Sequence, residues 1–241
     1  MEAYLDNSAT TRVDAQVQEL MKKLMDVDFG NPSSRHQKGV VAEGYIKEAR
    51  QKIAATLKVD PKELIITSGG TESNNMALIG TALAAKRKGN HIITTAVEHP
   101  SVKATASFLE EQGFRITFLS VDSRGQISLE DLKEALTPDT ILVSIMYVNN
   151  EIGTIQPVEE AAKLVHATVP GAVFHVDAIQ AYGKVMIRPK QQGIDLLSVS
   201  SHKFHGPKGA GFLYCSSKVN LHPIIFGGGQ QSGMRSGTEN V

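Results

Sequence analysis

The stretch Ile194-Asp195-Leu196-Leu197-Ser198-Val199-Ser200-Ser201-His202-Lys203-Phe204-His205-Gly206-Pro207-Lys208-Gly209 carries an apolar, strand-like run into a knot of serine, histidine, lysine, glycine and proline. A second run, 172–176, ends the same way, in His175-Val176-Asp177. Short, nearly continuous apolar runs are how strands buried on both faces read, which points to a largely parallel sheet covered by helices on each side. In such sheets ligands gather at the carboxyl ends of the strands. The two runs set the fold class, α/β, and the place to look for chemistry.

Outward from these runs the same alternation continues. Apolar residues at Val13, Val17, Leu20, Met21 and Leu24 have helical spacing and predict a helix over 13–25. The loop Gly30-Asn31-Pro32-Ser33-Ser34 precedes a second helix near 40–57. Further helices are expected over 71–88, 101–112, 129–136 and 158–167. Strands are expected over 64–67, 91–95, 115–121, 140–147, 172–176, 195–199 and 211–215. Polar clusters follow five of the strands: Ser68-Gly69-Gly70-Thr71-Glu72, Glu98-His99-Pro100, Asn149-Asn150-Glu151, Asp177-Ala178-Ile179-Gln180 and Ser200 to Lys203.

Composition narrows the function classes. At 241 residues the chain is one large domain or two small ones, with 41% hydrophobic and 21% charged residues. Lys plus Arg and Asp plus Glu balance at 25 each, so no basic field invites nucleic acid. No apolar run reaches membrane-spanning length, and Met1-Glu2-Ala3-Tyr4 lacks the basic and apolar regions of a signal peptide. The expectation is a soluble, cytoplasmic protein without nucleic-acid or membrane partners. The single cysteine, Cys215, leaves no internal disulfide or CxxC site, and within an apolar strand it reads as a small core residue.

The strand-end clusters carry the chemistry. Lys203 and Asp177 form the combination a pyridoxal phosphate enzyme needs: an amine for a Schiff base and a carboxylate to keep the pyridine nitrogen protonated. Lys203 also fits a solvated surface lysine. Ser68-Gly69-Gly70-Thr71 lies between a strand and a helix, where backbone N–H groups and a hydroxyl cradle a phosphate, or where Thr71 caps the helix. It matches neither the Walker A pattern nor the dinucleotide fingerprint, so a phosphate monoester is the better fit. His99 suits stacking on a planar ring and proton relay, or a plain helix start. Asn149 and Gln180 suit a phenolic oxygen or a substrate carboxylate, or turn-making. His175, Asp177, His202 and His205 also offer nitrogen and oxygen ligands to a metal, without a recognised metal spacing; no metal is expected.

Together these residues resemble cysteine desulfurases of the NifS/IscS type, pyridoxal phosphate enzymes of the class V aminotransferase fold. The resemblance rests on Tyr4-Leu5-Asp6-Asn7-Ser8-Ala9-Thr10-Thr11, Gly30-Asn31-Pro32-Ser33-Ser34, Thr67-Ser68-Gly69-Gly70-Thr71-Glu72-Ser73-Asn74 and Glu98-His99. It continues through Asn149 to Pro157, His175 to Gln180, Ser200 to Gly209 and Arg235-Ser236-Gly237-Thr238-Glu239-Asn240, covering essentially the whole chain. It implies the large domain of a fold type I transferase over 16–241, with segment 1–15 contributing to the active site and small domain. Lys203 would hold the cofactor and move protons, with His99 stacking and assisting. Asp177 would pair with the ring nitrogen, Gln180 with the ring hydroxyl, and Asn149 would orient cofactor and substrate. Gly70, Thr71, Ser200 and His202 would bind the phosphate. Thr238 would reach the phosphate of a neighbouring subunit, implying a homodimer.

The resemblance further implies L-cysteine as substrate, alanine and a protein persulfide as products, and a sulfur-acceptor or scaffold partner in iron–sulfur cluster or thio-cofactor assembly. Selenocysteine lyases and other class V lyases or aminotransferases share the motifs; a non-catalytic cofactor-binding module is the other alternative. The family's sulfur-accepting cysteine, its carboxylate-binding arginine and its C-terminal small domain lie beyond the segment matched here, which ends at Val241. A truncated chain, half of a split enzyme and a non-catalytic remnant each fit that ending, and this stretch alone is expected to lack turnover.

Overall fold

Helix α1 (Ala15–Asp26) begins where Asp14 turns its side chain back to accept a hydrogen bond from Gln16 N–H, and α2 (Gln37–Leu57) ends on Lys58 in the left-handed conformation. The structure, a computed structural model, describes residues 3–241, so Met1 and Glu2 of the N-terminal segment and of the leader reading lie outside the described residues. Strand β1 (Leu64–Thr67) leads into α3 (Gly70–Ala85), β2 (His91–Thr95) into α4 (Pro100–Glu111), and β3 (Arg115–Leu119) into α5 (Leu129–Ala135). Strand β4 (Thr140–Met146) is followed by α6 (Val158–Thr168), β5 (Val173–Asp177), the short α7 (Pro189–Gln192), β6 (Leu196–Ser200) and β7 (Gly211–Cys215).

The strands form one sheet in the order β1-β7-β6-β5-β4-β2-β3. Strands β3, β2, β4, β5 and β6 run parallel, and β7 lies antiparallel between β6 and β1. Because β7 reverses against both neighbours, β1 points the same way as β6, and its carboxyl end joins theirs.

Strand side chains alternate between faces, and the core divides accordingly. On one face Ile65, Ile92, Leu142, Leu196 and Leu213 pack with Met76 and Leu78 of α3 and Val102 and Leu109 of α4. On the other, Leu64, Ile93, Val143, Phe174, Val176 and Leu197 pack with Leu57 of α2, Leu132 of α5 and Val165 of α6. Helices therefore cover both faces. The α3 face of the central strands turns polar towards the carboxyl edge. There Ser144 of β4 and Ser198 of β6 hold the buried His175 of β5 at 2.8 Å and 2.9 Å.

Most expected elements appear within a few residues. The helix expected from 71 starts at Gly70 and stops at Ala85, so Thr71 lies inside its first turn and Gly69 takes the cap position. The strand expected over 115–121 stops at Leu119, and Val121 instead bridges Ile127. The strand expected over 172–176 runs one residue further and includes Asp177. The antiparallel β7 is not visible in its own residues, because direction depends on the connection and not on side-chain period.

Candidate functional site

A cleft of about 460 Å³ opens at the carboxyl edge, lined by Gly70 and Thr71 after β1, His99 after β2, Asp177 at the end of β5, and Ser200 and Lys203 after β6. Asp177 is 4% exposed. Its Oδ2 accepts from Asn74 Nδ2 at 2.8 Å and its Oδ1 from Ile179 N–H at 3.0 Å. Burial pushes its carboxyl above the ordinary range, while Ile179 N–H, Asn74, His99 and Lys203 pull it back. An opposite charge placed against this carboxylate would be strongly favoured.

Lys203 sits in a single 3₁₀ turn, Ser201–Lys203, that ends β6. Burial and then Lys184 lower its pKa, opposed by Asp177 and Asp6. Its Nζ donates to the backbone carbonyls of Ser8 at 2.5 Å and Ala9 at 2.9 Å. The N-terminal segment thus runs over the cleft, and Asp6, Ser8 and Ala9 line it. The segment is anchored by Thr11, whose N–H and hydroxyl both donate to His202 O and whose Oγ1 accepts from His205 N–H.

The helix α3 points its N-terminus into this cleft. Gly69, at φ 144°, lets the chain turn from β1 into the helix, and no side chain among the described residues caps the first turn. Uncapped N–H groups at a helix N-terminus leave donors for an anion. A Cβ on Gly70 would lie 2.0 Å from Ile179 Cδ1, itself a cleft residue, so glycine there preserves the shape. Burial, Lys203 and Lys208 lower the pKa of His202.

Not every expected residue converges. Asn149 is 6% exposed, and its side chain closes its own loop: Oδ1 accepts from Glu151 and Ile152 N–H, while Nδ2 donates to Val97 O. Val148, Asn150 and Glu151 line the cleft in its place. Gln180 lines the cleft but donates to Ser8 O at 2.8 Å, and Thr238 is exposed on the C-terminal tail and is not among the lining residues. The four metal candidates diverge: His175 lies between its two serines, and His205 Nδ1 contacts Arg12 O. Cys215 is half-buried at the end of β7, and burial, then the charges of Glu63 and Asp195, push its thiol up to about 12, which disfavours the thiolate.

Two side chains escaped the sequence reading. Asn74 and Ser101 lie beneath the cleft and join Asp177 to His99 through hydrogen bonds of 2.8, 2.9 and 2.8 Å. Asn74 closes the stretch Thr67 to Asn74 on which the resemblance rests, and it stands one helical turn after Gly70, on the face of α3 that meets the sheet.

The donor set fits pyridoxal phosphate. A buried carboxylate and an amine of lowered pKa line the same cleft as an uncapped helix N-terminus.

Residues 3–240 match the class-V aminotransferase family. The cysteine desulfurase IscS of Dictyoglomus turgidum is 50% identical over 240 residues, covering 100% of this chain and 60% of that protein. The cysteine desulfurase IscS of Methanosarcina thermophila is 48% identical over 238 residues, covering 99% of this chain and 58% of that protein. A solved NifS-like protein superposes with a TM-score of 0.97 at 44% identity, covering 100% of this chain and 66% of its own. SspA, solved in complex with cysteine, superposes with a TM-score of 0.95 at 41% identity, covering 99% and 69%. The chain spans about 60% of the length of the curated relatives it matches.

Proposed function

Because this chain belongs to the class-V aminotransferase family, we propose that it forms the cofactor-binding large domain of a cysteine desulfurase, acting on L-cysteine with pyridoxal phosphate. The observation that carries the reading is the pairing of Lys203 with the buried Asp177 across a cleft that also receives the N-terminus of α3. High identity to cysteine desulfurases along the whole chain supports the substrate.

When bound, pyridoxal phosphate supplies an aldehyde that joins an amine and a protonated ring that accepts the electron pair left on the substrate α-carbon. Lys203 Nζ is the amine that would hold it and then move the α-carbon proton, once released from the Ser8 and Ala9 carbonyls. Asp177, kept from water, would hold the proton on the ring nitrogen. Gly70, Thr71, Ser200 and His202 would receive the phosphate, with the helix N-terminus contributing its partial positive charge. His99 would lie on the ring, and Gln180 would reach the ring hydroxyl after leaving Ser8. Asn149 would help orient cofactor and substrate, and its loop sets Asn150 and Glu151 at the cleft. The remaining parts of the proposal are a cytoplasmic homodimer in which Thr238 reaches the partner's site, and sulfur delivery to an acceptor or scaffold protein for iron–sulfur cluster or thio-cofactor assembly.

The test loads the purified chain with pyridoxal phosphate and follows its visible absorbance on adding L-cysteine, L-alanine or L-selenocysteine. Alanine release is then measured from the gene product that carries this chain. Cofactor binding with cysteine-dependent alanine formation supports the reading. Failure to bind the cofactor, or turnover of selenocysteine alone, would overturn it.

A further inference from the structure

We propose that Asn74 and Ser101 are positioning residues that fix His99 in one tautomer, so that it presents an N–H and not a lone pair to the cleft. The inference deepens the proposed function and rests on it for the identity of the ligand. Asn74 is fully buried and its Nδ2 bridges two acceptors, Asp177 Oδ2 at 2.8 Å and Ser101 Oγ at 2.9 Å. Reversing the amide would set Oδ1 against a carboxylate oxygen, so the donor end must face Asp177. Among the described residues Asn74 Oδ1 has no hydrogen-bond partner, so no competing bond favours the reversed amide.

The direction of the next link follows from the first. Ser101 Oγ accepts from Asn74, which frees its own O–H to donate to His99 Nδ1 at 2.8 Å. The backbone N–H of Ser101 also points at Nδ1, at 3.1 Å, as His99 caps α4. Both donors need a lone pair on Nδ1, so in the neutral ring the hydrogen stands on Nε2. A histidine held this way donates a hydrogen bond from Nε2 to an atom in the cleft and has no lone pair on that nitrogen with which to take a proton there. The Asp177 carboxylate and the His99 ring are thereby oriented by one connected set of donors, which lets them address the same ligand.

The test is ¹⁵N NMR of the histidine rings in the cofactor-free chain, at a pH where the rings are neutral. Wild type and Ser101→Thr, which keeps the hydroxyl, are expected to show His99 as the Nε2–H tautomer alone. Ser101→Ala leaves only the longer backbone contact, and its ring signals are expected to move towards the average of the two tautomers. An Nδ1–H tautomer in wild type, or identical His99 signals in Ser101→Ala, would overturn the inference. Asn74→Ala reports on the far end of the chain of bonds but removes a buried group, so the Ser101 pair carries the decision. In the loaded gene product, Ser101→Ala should lower kcat about tenfold with little change in KM, and Ser101→Thr should restore it. If the wild type binds no cofactor, the function fails while the tautomer result stands by itself.

Discussion

Lys203 Nζ donates to the backbone carbonyl of Ser8 at 2.5 Å, across 195 positions of sequence. The contact places the N-terminal segment over the amine, so the lysine is oriented within the cleft before any ligand arrives. Its carbonyl partners are neutral, which leaves the charge of Asp177 available to another cation.

Replacement of Lys203 by alanine is expected to abolish covalent, borohydride-fixable labelling by pyridoxal phosphate while leaving the far-ultraviolet circular dichroism unchanged. Peptide mapping distinguishes this from labelling of Lys184, which lies close enough to lower the pKa of Lys203. A fixed label that survives in Lys203→Ala would remove Lys203 from its assigned role.

Asp177→Asn keeps the shape and the contact with Ile179 N–H but removes the charge. Hydrogen bonds to charged groups contribute about 1.5–3 kcal/mol, so affinity for pyridoxal phosphate should fall about 10- to 100-fold. Absorbance titration measures it. Unchanged affinity would show that the carboxylate does not face the ring nitrogen.

Glu98 makes stability depend on pH. Burial, reinforced by the charge of Asp177, pushes its carboxyl from 4.5 up to about 8, against hydrogen bonds from Met146 N–H and Thr95. The folded state binds the proton more tightly than the unfolded chain. The associated stability is therefore complete below about pH 4.5 and is lost as pH rises through about 8, at no more than about 1.4 kcal/mol per pH unit. Glu98→Gln should flatten that decline in urea midpoints recorded from about pH 5 to about pH 9. An equal slope in both proteins would contradict a protonated Glu98.

Gln231 covers the outer edge of β1. Its Oε1 accepts from Ile66 N–H at 2.7 Å and its Nε2 donates to Ile66 O at 2.8 Å, as a neighbouring strand would. Gln231→Ala should cost about 1–3 kcal/mol in urea unfolding, since two backbone groups lose their partner. It should also raise concentration-dependent association, seen by light scattering, because the bare edge invites strand pairing. An unchanged midpoint and a monodisperse solution would show that water replaces the amide at no cost.

Much of this is written locally. The apolar runs at 140–147 and 195–199 mark strands without any knowledge of their neighbours, and Asp177 and Lys203 stand at strand ends. Asn149 shows where such reading stops. Its position beside Asn150 and Glu151 suggested contact with a ligand, yet the loop geometry uses both ends of its amide. Asn74 shows the opposite case. A polar residue within a helix looks incidental until the helix is laid on the sheet and its amide meets a carboxylate 103 positions away.

The sequence by itself determined the alternation of helices and strands, the two-faced core and the kinds of side chain at the carboxyl edge. These follow from side-chain period and from what each residue type does at the end of an element. Only the tertiary structure decided that β7 runs backwards between β6 and β1, that Ser8 holds Lys203, and that Asn74 and Ser101 join Asp177 to His99. Those relations depend on directional hydrogen bonds between elements remote in the chain. Their partners are set by how the helices and the N-terminal segment pack on the sheet, and local propensity carries no record of it.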